Sequence, residues 1–259
     1  MGLLEGQVAV VTGAGSGIGR SIALHYAQEG AAVVVADVNE QAAQAVLEEL
    51  PETTLQGLAV TLDVTSKASC QSLYKTVYEH YGKIDIAGHN AGVSTMNRII
   101  DLSEQEWDFN MNVNAKGVFL CTQAVLPYMI EQGRGRIINT ASMAGKRGTP
   151  LLAHYAASKW AVIGFTKSTA LEVAEHGITV NCVCPGYVKT SMQEREIVWE
   201  AKLRGMQPEE VFEEYTRLTP MKRIQTPEDV ARIYVFLASH LADFVTGEAV
   251  DVTGGADLV

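Results

Sequence analysis

Val8–Gly19 reads VAVVTGAGSGIG. An apolar, β-branched run that halts at a threonine and a cluster of glycines is a buried strand entering a tight turn. Arg20 to Gln28 follows with helical spacing and is stopped by Gly30, and Ala32 to Asp37 is a second buried run. Strand, glycine turn, helix and strand make one βαβ unit, which favours a parallel sheet. The glycines fall at Gly13, Gly15, Gly17 and Gly19, so a strict G-x-G-x-x-G is absent. The context carries the reading instead, because the turn follows a strand, opens a helix, and has an acid, Asp37, closing the next strand. Glycine lets backbone N–H groups approach a pyrophosphate, and a helix start offers it partial positive charge. The Asp37 carboxylate suits the two ribose hydroxyls of an adenosine and repels a 2′-phosphate, so NAD is expected rather than NADP. A turn that serves only tight packing of strand on helix is the alternative.

The alternation continues outward from this unit. Helices are expected at Glu40 to Leu50, Ser66 to Tyr81, Ser103 to Glu131 and Ala153 to Glu175; strands at Leu58 to Leu62, Ile84 to Ala87, Arg136 to Thr140, Thr179 to Cys184 and Ala249 to Val252. Seven strands alternating with helices predict an α/β fold, a doubly wound parallel seven-stranded Rossmann sheet with helices on both faces. No repeat, low-complexity linker or charge block marks a boundary, so residues 1–259 are read as a single domain. The rhythm breaks once, at about 190–220, where charged helical segments (Glu194 to Arg204, Pro208 to Arg217) form an insertion of the kind that covers a ligand crevice.

Composition narrows the class. The 259 residues are 47% hydrophobic, enough for a substantial core, and carry a net charge of −10. That acidity opposes a nucleic-acid surface. Cys70, Cys121, Cys182 and Cys184 have no zinc-type spacing, and no metal site is expected. No apolar run approaches a membrane span, the chain's start lacks a basic region followed by a hydrophobic one, and Gly6 stands where a myristoylation signal has Ser or Thr. A cytoplasmic enzyme or binding protein is expected.

A second stretch, HYAASKW at His154–Trp160, places Tyr155 and Lys159 four residues apart, hence on one face of a helix. A phenol beside an ammonium can exchange a proton with an alcohol or ketone, because the cation favours the phenolate. An exposed helix turn fits the same pattern.

Together these motifs resemble the short-chain dehydrogenase/reductase family over nearly the whole chain. Thr12-Gly13-x-x-x-Gly17-x-Gly19 matches its cofactor motif, Asp63-Val64 its adenine-contact pair, and Asn90-Ala91-Gly92 its strand-four motif, although His89 stands where the family has a further Asn. Asn114 in NAKG matches the family's asparagine, Ser142 lies at the catalytic serine spacing before Tyr155, and Pro185-Gly186 with Thr190 matches the nicotinamide-contacting segment. The resemblance implies Tyr155 as general acid/base and Lys159 as the group that lowers its pKa and binds the nicotinamide ribose. It implies Ser142 as hydrogen-bond partner of the reacting oxygen, and Asn114 as holder of a water chain to Lys159. Ser16, Ile18 and Val188 join the cofactor-binding residues. The hydride chemistry is the cofactor's.

The texture of KRGTPLLAHYAASK, of Lys202 to Val230 and of VDVTGG is similar to NAD-dependent polyol, sorbitol-type dehydrogenases. Acetoin and 2,3-butanediol dehydrogenases share some of it. Lys146-Arg147, Lys222-Arg223 and Arg195 raise a phosphorylated sugar alcohol as a further option, behind a neutral vicinal diol. A ketoacyl reductase would use NADPH and is opposed by Asp37. A non-catalytic NAD sensor would lack one of Ser142, Tyr155 or Lys159, and none is missing. The family resemblance also implies a homotetramer.

Overall fold

The computed structural model describes residues 2–52, 55–256 and 258. In chain order the elements are β1 (Val8–Thr12), α1 (Gly17–Gln28), β2 (Ala32–Asp37), α2 (Glu40–Glu49), β3 (Leu58–Thr61), α3 (Lys67–Tyr81) and β4 (Ile86–His89). Then follow α4 (Glu104–Asn110), α5 (Gly117–Gln132), β5 (Gly135–Thr140), α6 (Ala153–Val173), β6 (Ile178–Pro185), α7 (Ser191–Arg204), α8 (Pro208–Leu218), α9 (Pro227–Ala238) and β7 (Ala249–Val252). All seven strands are parallel, in the order β3-β2-β1-β4-β5-β6-β7. The winding reverses between β1 and β4, and a crevice opens at the carboxyl ends there.

Period-two alternation divides the apolar strand residues between two cores. Ala9, Val11, Val33 and Val35 face Ile22 and Tyr26 of α1 and Tyr234 and Leu237 of α9. Val8, Val10 and Val34 face Leu73 and Tyr74 of α3 and Val125 and Met129 of α5. β1 and β2 are therefore buried on both faces, which is why each reads as a continuous apolar run.

Two expectations change. The stretch Ser103 to Glu131 is not one α-helix: Met111–Lys116 forms a π-helical turn between α4 and α5. Its wider turn carries Asn114, whose carboxamide bonds both backbone groups of Val93, and such turns recur at functional sites. The fourth strand begins at Ile86 and not Ile84, because Ile84 N–H and C=O bond the side chain of Gln132 rather than a neighbouring strand. It runs on to His89, whose ring is fully enclosed. Its Nε2 bonds the Tyr74 hydroxyl at 2.9 Å and its Nδ1 faces Asn139 Oδ1 at 2.9 Å. Cys182 and Cys184 are buried together, as two thiols on one face of β6.

Enclosure holds His89 neutral, lowering its pKa to about 4. The unfolded chain, with a histidine pKa of about 6.5, binds the proton that the fold refuses, so stability falls as pH drops from about 6.5 to about 4, by up to about 3 kcal/mol. Urea unfolding across that range should show an acid loss in the wild type that His89→Asn, less stable at neutral pH, largely lacks; parallel curves would contradict the enclosure argument.

Candidate active site

The crevice between the ends of β1 and β4 is a cavity of about 870 Å³. Thr12, the last residue of β1, fixes its floor: its hydroxyl accepts from the backbone N–H of Asn90 at 3.0 Å and of Ala91 at 3.1 Å. Asn90 Nδ2 returns to the Gly13 carbonyl at 3.2 Å. The approach is so close that a Cβ on Gly13 would stand 2.6 Å from Ala91 Cα, and one on Gly19 would stand 2.0 Å from the Gly13 oxygen. Only glycine fits these two positions.

Helix α1 starts at this turn, and Ser16, its N-cap residue, makes no side-chain cap hydrogen bond. Asn39, Ser66, Ser103 and Thr190 do cap their helices. The first N–H groups of α1 thus lack the side-chain acceptor those helices have, a donor set that fits the pyrophosphate of a dinucleotide. At the end of β2, Asp37 is held by two backbone donors, Gly15 N–H to Oδ2 and Asn39 N–H to Oδ1, each at 2.9 Å. The next residue is Val38, and Arg20 on α1 is turned away into an ion pair with Glu49.

Tyr155 and Lys159 share one face of α6 beneath the cavity. Lys159 is buried and its ammonium donates to the Thr140 carbonyl at 2.9 Å, standing 5.6 Å from the centre of the Tyr155 ring. Burial lowers the Lys159 pKa to about 8. Tyr155 moves the other way: burial, and next the negative charge of Glu196, push its phenol well above its usual value, while a hydrogen bond from Ser142 opposes them. Taking the phenolate out of water raises the phenol even with the Lys159 ammonium on the same helix face. Ser142, itself buried, accepts from the Ala144 N–H at 3.2 Å, which leaves its own proton for Tyr155.

Asn114 lies behind the cavity wall. Its amide donates to the Val93 carbonyl at 2.9 Å and to Ser158 Oγ at 3.0 Å, and its Oδ1 accepts from Val93 N–H at 2.8 Å. Both amide hydrogens are occupied, so a water on this residue would have to bond a carbonyl oxygen. Gly92 keeps the gap open: a Cβ there would lie 3.3 Å from Asn114 Oδ1 and 3.5 Å from Lys159 Nζ.

Every residue expected from sequence lines the cavity except Gly19 and Asn114, which shape it from behind: Gly13, Ser16, Gly17, Ile18, Asp37, Asp63, Val64, Asn90, Ala91, Gly92, Ser142, Tyr155, Lys159, Pro185, Gly186, Val188 and Thr190 are all present. The basic pairs do not converge on it. Lys146 bonds the Asp251 carboxylate and the Ala249 carbonyl, each at 2.6 Å; Arg147 donates to the Ala256 carbonyl, Lys222 to the Arg217 carbonyl, and Arg223 pairs with Asp229. Of the cations considered for a phosphate, Arg195 alone lines the cavity. Sequence reasoning missed Ser94, Phe109, Met192, Gln193 and Glu196, which also line it or stand beside it. A four-residue step joins Met192 to Glu196 on α7, yet Glu194 and Glu200 made the helix look uniformly solvated.

Comparison with known proteins agrees with this geometry. Residues 7–201 match the short chain dehydrogenase family. The chain is 38% identical over 252 residues to the 3-oxoacyl-(acyl-carrier-protein) reductase FabG of Thermotoga maritima, covering 97% of this chain and 98% of that protein. It is 37% identical over 258 residues to BbsD of Thauera aromatica, a hydroxy(phenyl)methylsuccinyl-CoA dehydrogenase subunit, covering 98% of each. Among solved structures, that of levodione reductase superposes with a TM-score of 0.93 at 33% identity, covering 99% of both chains. With the family's motifs gathered around one crevice and the match spanning most of its length, the chain belongs to the short-chain dehydrogenase family of oxidoreductases.

Proposed function

We propose that this protein is an NAD-dependent oxidoreductase that interconverts a secondary alcohol, of polyol or other vicinal-diol type, and its ketone. The observation that carries the reading is the Ser142–Tyr155–Lys159 arrangement: a serine and a tyrosine lining one cavity, with a buried ammonium on the same helix face as the phenol. When bound, the nicotinamide supplies the hydride acceptor or donor. Ser142 and Tyr155 grip the substrate oxygen, Tyr155 takes or returns its proton, and Lys159, fixed by the Thr140 carbonyl, holds the cofactor ribose and stabilises the phenolate. Asn114 and Gly92 position the wall beside Lys159. Asp63 and Val64 meet the adenine, while Pro185, Gly186, Val188 and Thr190 border the nicotinamide end.

Asp37 supports NAD, because its carboxylate stands at the end of β2 with Val38, not a cation, behind it. Apolar side chains left exposed on α5 and α6, among them Phe119, Trp160 and Leu171, support a homotetramer built on those helices. Among the described residues no helix is long and apolar enough to cross a membrane, which accords with a cytoplasmic enzyme. The names of two relatives favour a second reading, reduction of a 3-oxoacyl or related acyl-thioester ketone.

One assay distinguishes these readings. Following the reduced cofactor with NAD or NADP against sorbitol, 2,3-butanediol and 2-butanol, and with NADH or NADPH against acetoacetyl-CoA, should give turnover with NAD and an alcohol. Asp37→Ser should lower kcat/KM for NAD by about tenfold or more and raise it for NADP, since hydrogen bonds to a charged group are worth about 1.5–3 kcal/mol. Equal use of both cofactors by the wild type, or turnover of the thioester alone, would contradict the reading.

Tyr155→Phe keeps the ring and removes the ionisable oxygen. It should lower kcat roughly 100- to 10,000-fold while NAD affinity, followed by tryptophan fluorescence, stays nearly constant. Alcohol oxidation needs the phenolate and the wild-type phenol is raised, so the oxidation rate should climb as pH rises. A variant with half the wild-type rate would remove Tyr155 from the chemistry.

A further inference from the structure

The proposed hydride and proton transfers leave one acidic side chain in the cavity without a task. Glu196 stands on α7, the helix over the crevice, and lines the same cavity as Ser142 and Tyr155. The other cavity acids are Asp37, the last residue of β2, and Asp63, just beyond the end of β3. Glu196 is half-buried and lines the same cavity as Tyr155, near enough for its charge to act on the phenol.

Its hydrogen bonding is incomplete. Gln193 Nε2 donates to Oε2 at 3.2 Å. The buried Ser94 hydroxyl stands beside the same carboxyl without closing a well-formed bond. Among the described residues no cation lies within ion-pair distance of Glu196, and Arg195, its neighbour in the chain, is exposed. An ionised carboxylate offers about four acceptor sites, and in a partly dry cavity the unfilled ones favour a ligand that brings O–H donors. Burial raises the pKa of this carboxyl, and Glu200 adds to the rise, while Ser94 and the charge of Arg195 oppose it.

We infer that Glu196, assisted by Ser94, binds the hydroxyl next to the reacting carbinol and thereby selects vicinal diols over simple secondary alcohols. The inference rests on the alcohol–ketone reading and assigns its substrate class. The same carboxylate meets a phosphate or carboxylate at that position with like charge, which disfavours anionic substrates. An ammonium would also suit a carboxylate. Lys159, however, already holds a positive charge in the cavity, and the Ser94 hydroxyl complements a neutral O–H, which can both donate and accept.

The test compares 2,3-butanediol, 2-butanol and 3-amino-2-butanol as substrates with NAD in the wild type, Glu196→Met and Ser94→Ala. NAD affinity and the thermal midpoint are recorded for each variant. The wild type should favour the diol over the mono-alcohol in kcat/KM by roughly ten- to a hundredfold, the range of a hydrogen bond to a charged group. Glu196→Met, which keeps length but has no acceptor oxygen, should reduce that ratio to within a few-fold of one; Ser94→Ala should reduce it by a smaller factor. A ratio unchanged in Glu196→Met, with both alcohols still turned over, would overturn this inference and leave the oxidoreductase reading intact. A wild-type preference for the amino alcohol that disappears in the variant would overturn the hydroxyl assignment. Failure of folded, NAD-binding wild type to oxidise any of the three would instead strike the reading underneath.

Discussion

The active site depends on one constraint, the burial of the Lys159 ammonium against the Thr140 carbonyl at the end of β5. A charge removed from water is held only where an acceptor is fixed to receive it. Here the acceptor is the last carbonyl of a strand locked into the sheet on both sides. This anchors α6 over the sheet's carboxyl edge, and with it Tyr155 one turn earlier. Burial then acts on the pair with opposite signs: the lysine loses part of its hold on the proton while the phenol tightens its own. In the free protein the site rests with a protonated phenol.

Such a resting state gives the oxidised cofactor a second effect. Its nicotinamide ring carries positive charge, and positive charge brought near a desolvated phenol favours the phenolate. A bound hydride acceptor would thus strengthen the base. The charge of Glu196 works against that ionisation. A diol hydroxyl on that carboxyl would relieve part of its influence on Tyr155, which couples substrate selection to the proton transfer.

Much of this was legible in the sequence, for physical reasons that differ by element. Strands buried on both faces must be apolar throughout, so β1 and β2 stand out in VAVVT and AVVVAD. Gly13 and Gly19 of the first turn are dictated by backbone approaches that no other residue allows, and Asp37 is the polar residue that ends β2. The π-helical turn at Asn114 was hidden, because periodicity cannot distinguish one extra residue in a turn from a continuous helix. His89 sits inside the sheet with two hydrogen-bond partners distant in sequence, and no local pattern announces them. Glu196 was missed for a related reason. Its significance comes from which face of α7 meets the crevice, and tertiary packing decides that. The basic pairs left a phosphorylated substrate open as an option behind a neutral diol, and the fold pairs Lys146 and Arg223 with Asp251 and Asp229.

The most direct measurement is a spectroscopic titration of the Tyr155 phenol, read as the difference in tyrosinate absorbance between wild type and Tyr155→Phe, with and without NAD. The account predicts a phenol that ionises above the ordinary tyrosine range in the free protein and at distinctly lower pH once NAD is bound. A phenol already depressed in the free protein, or one unmoved by NAD, would contradict it.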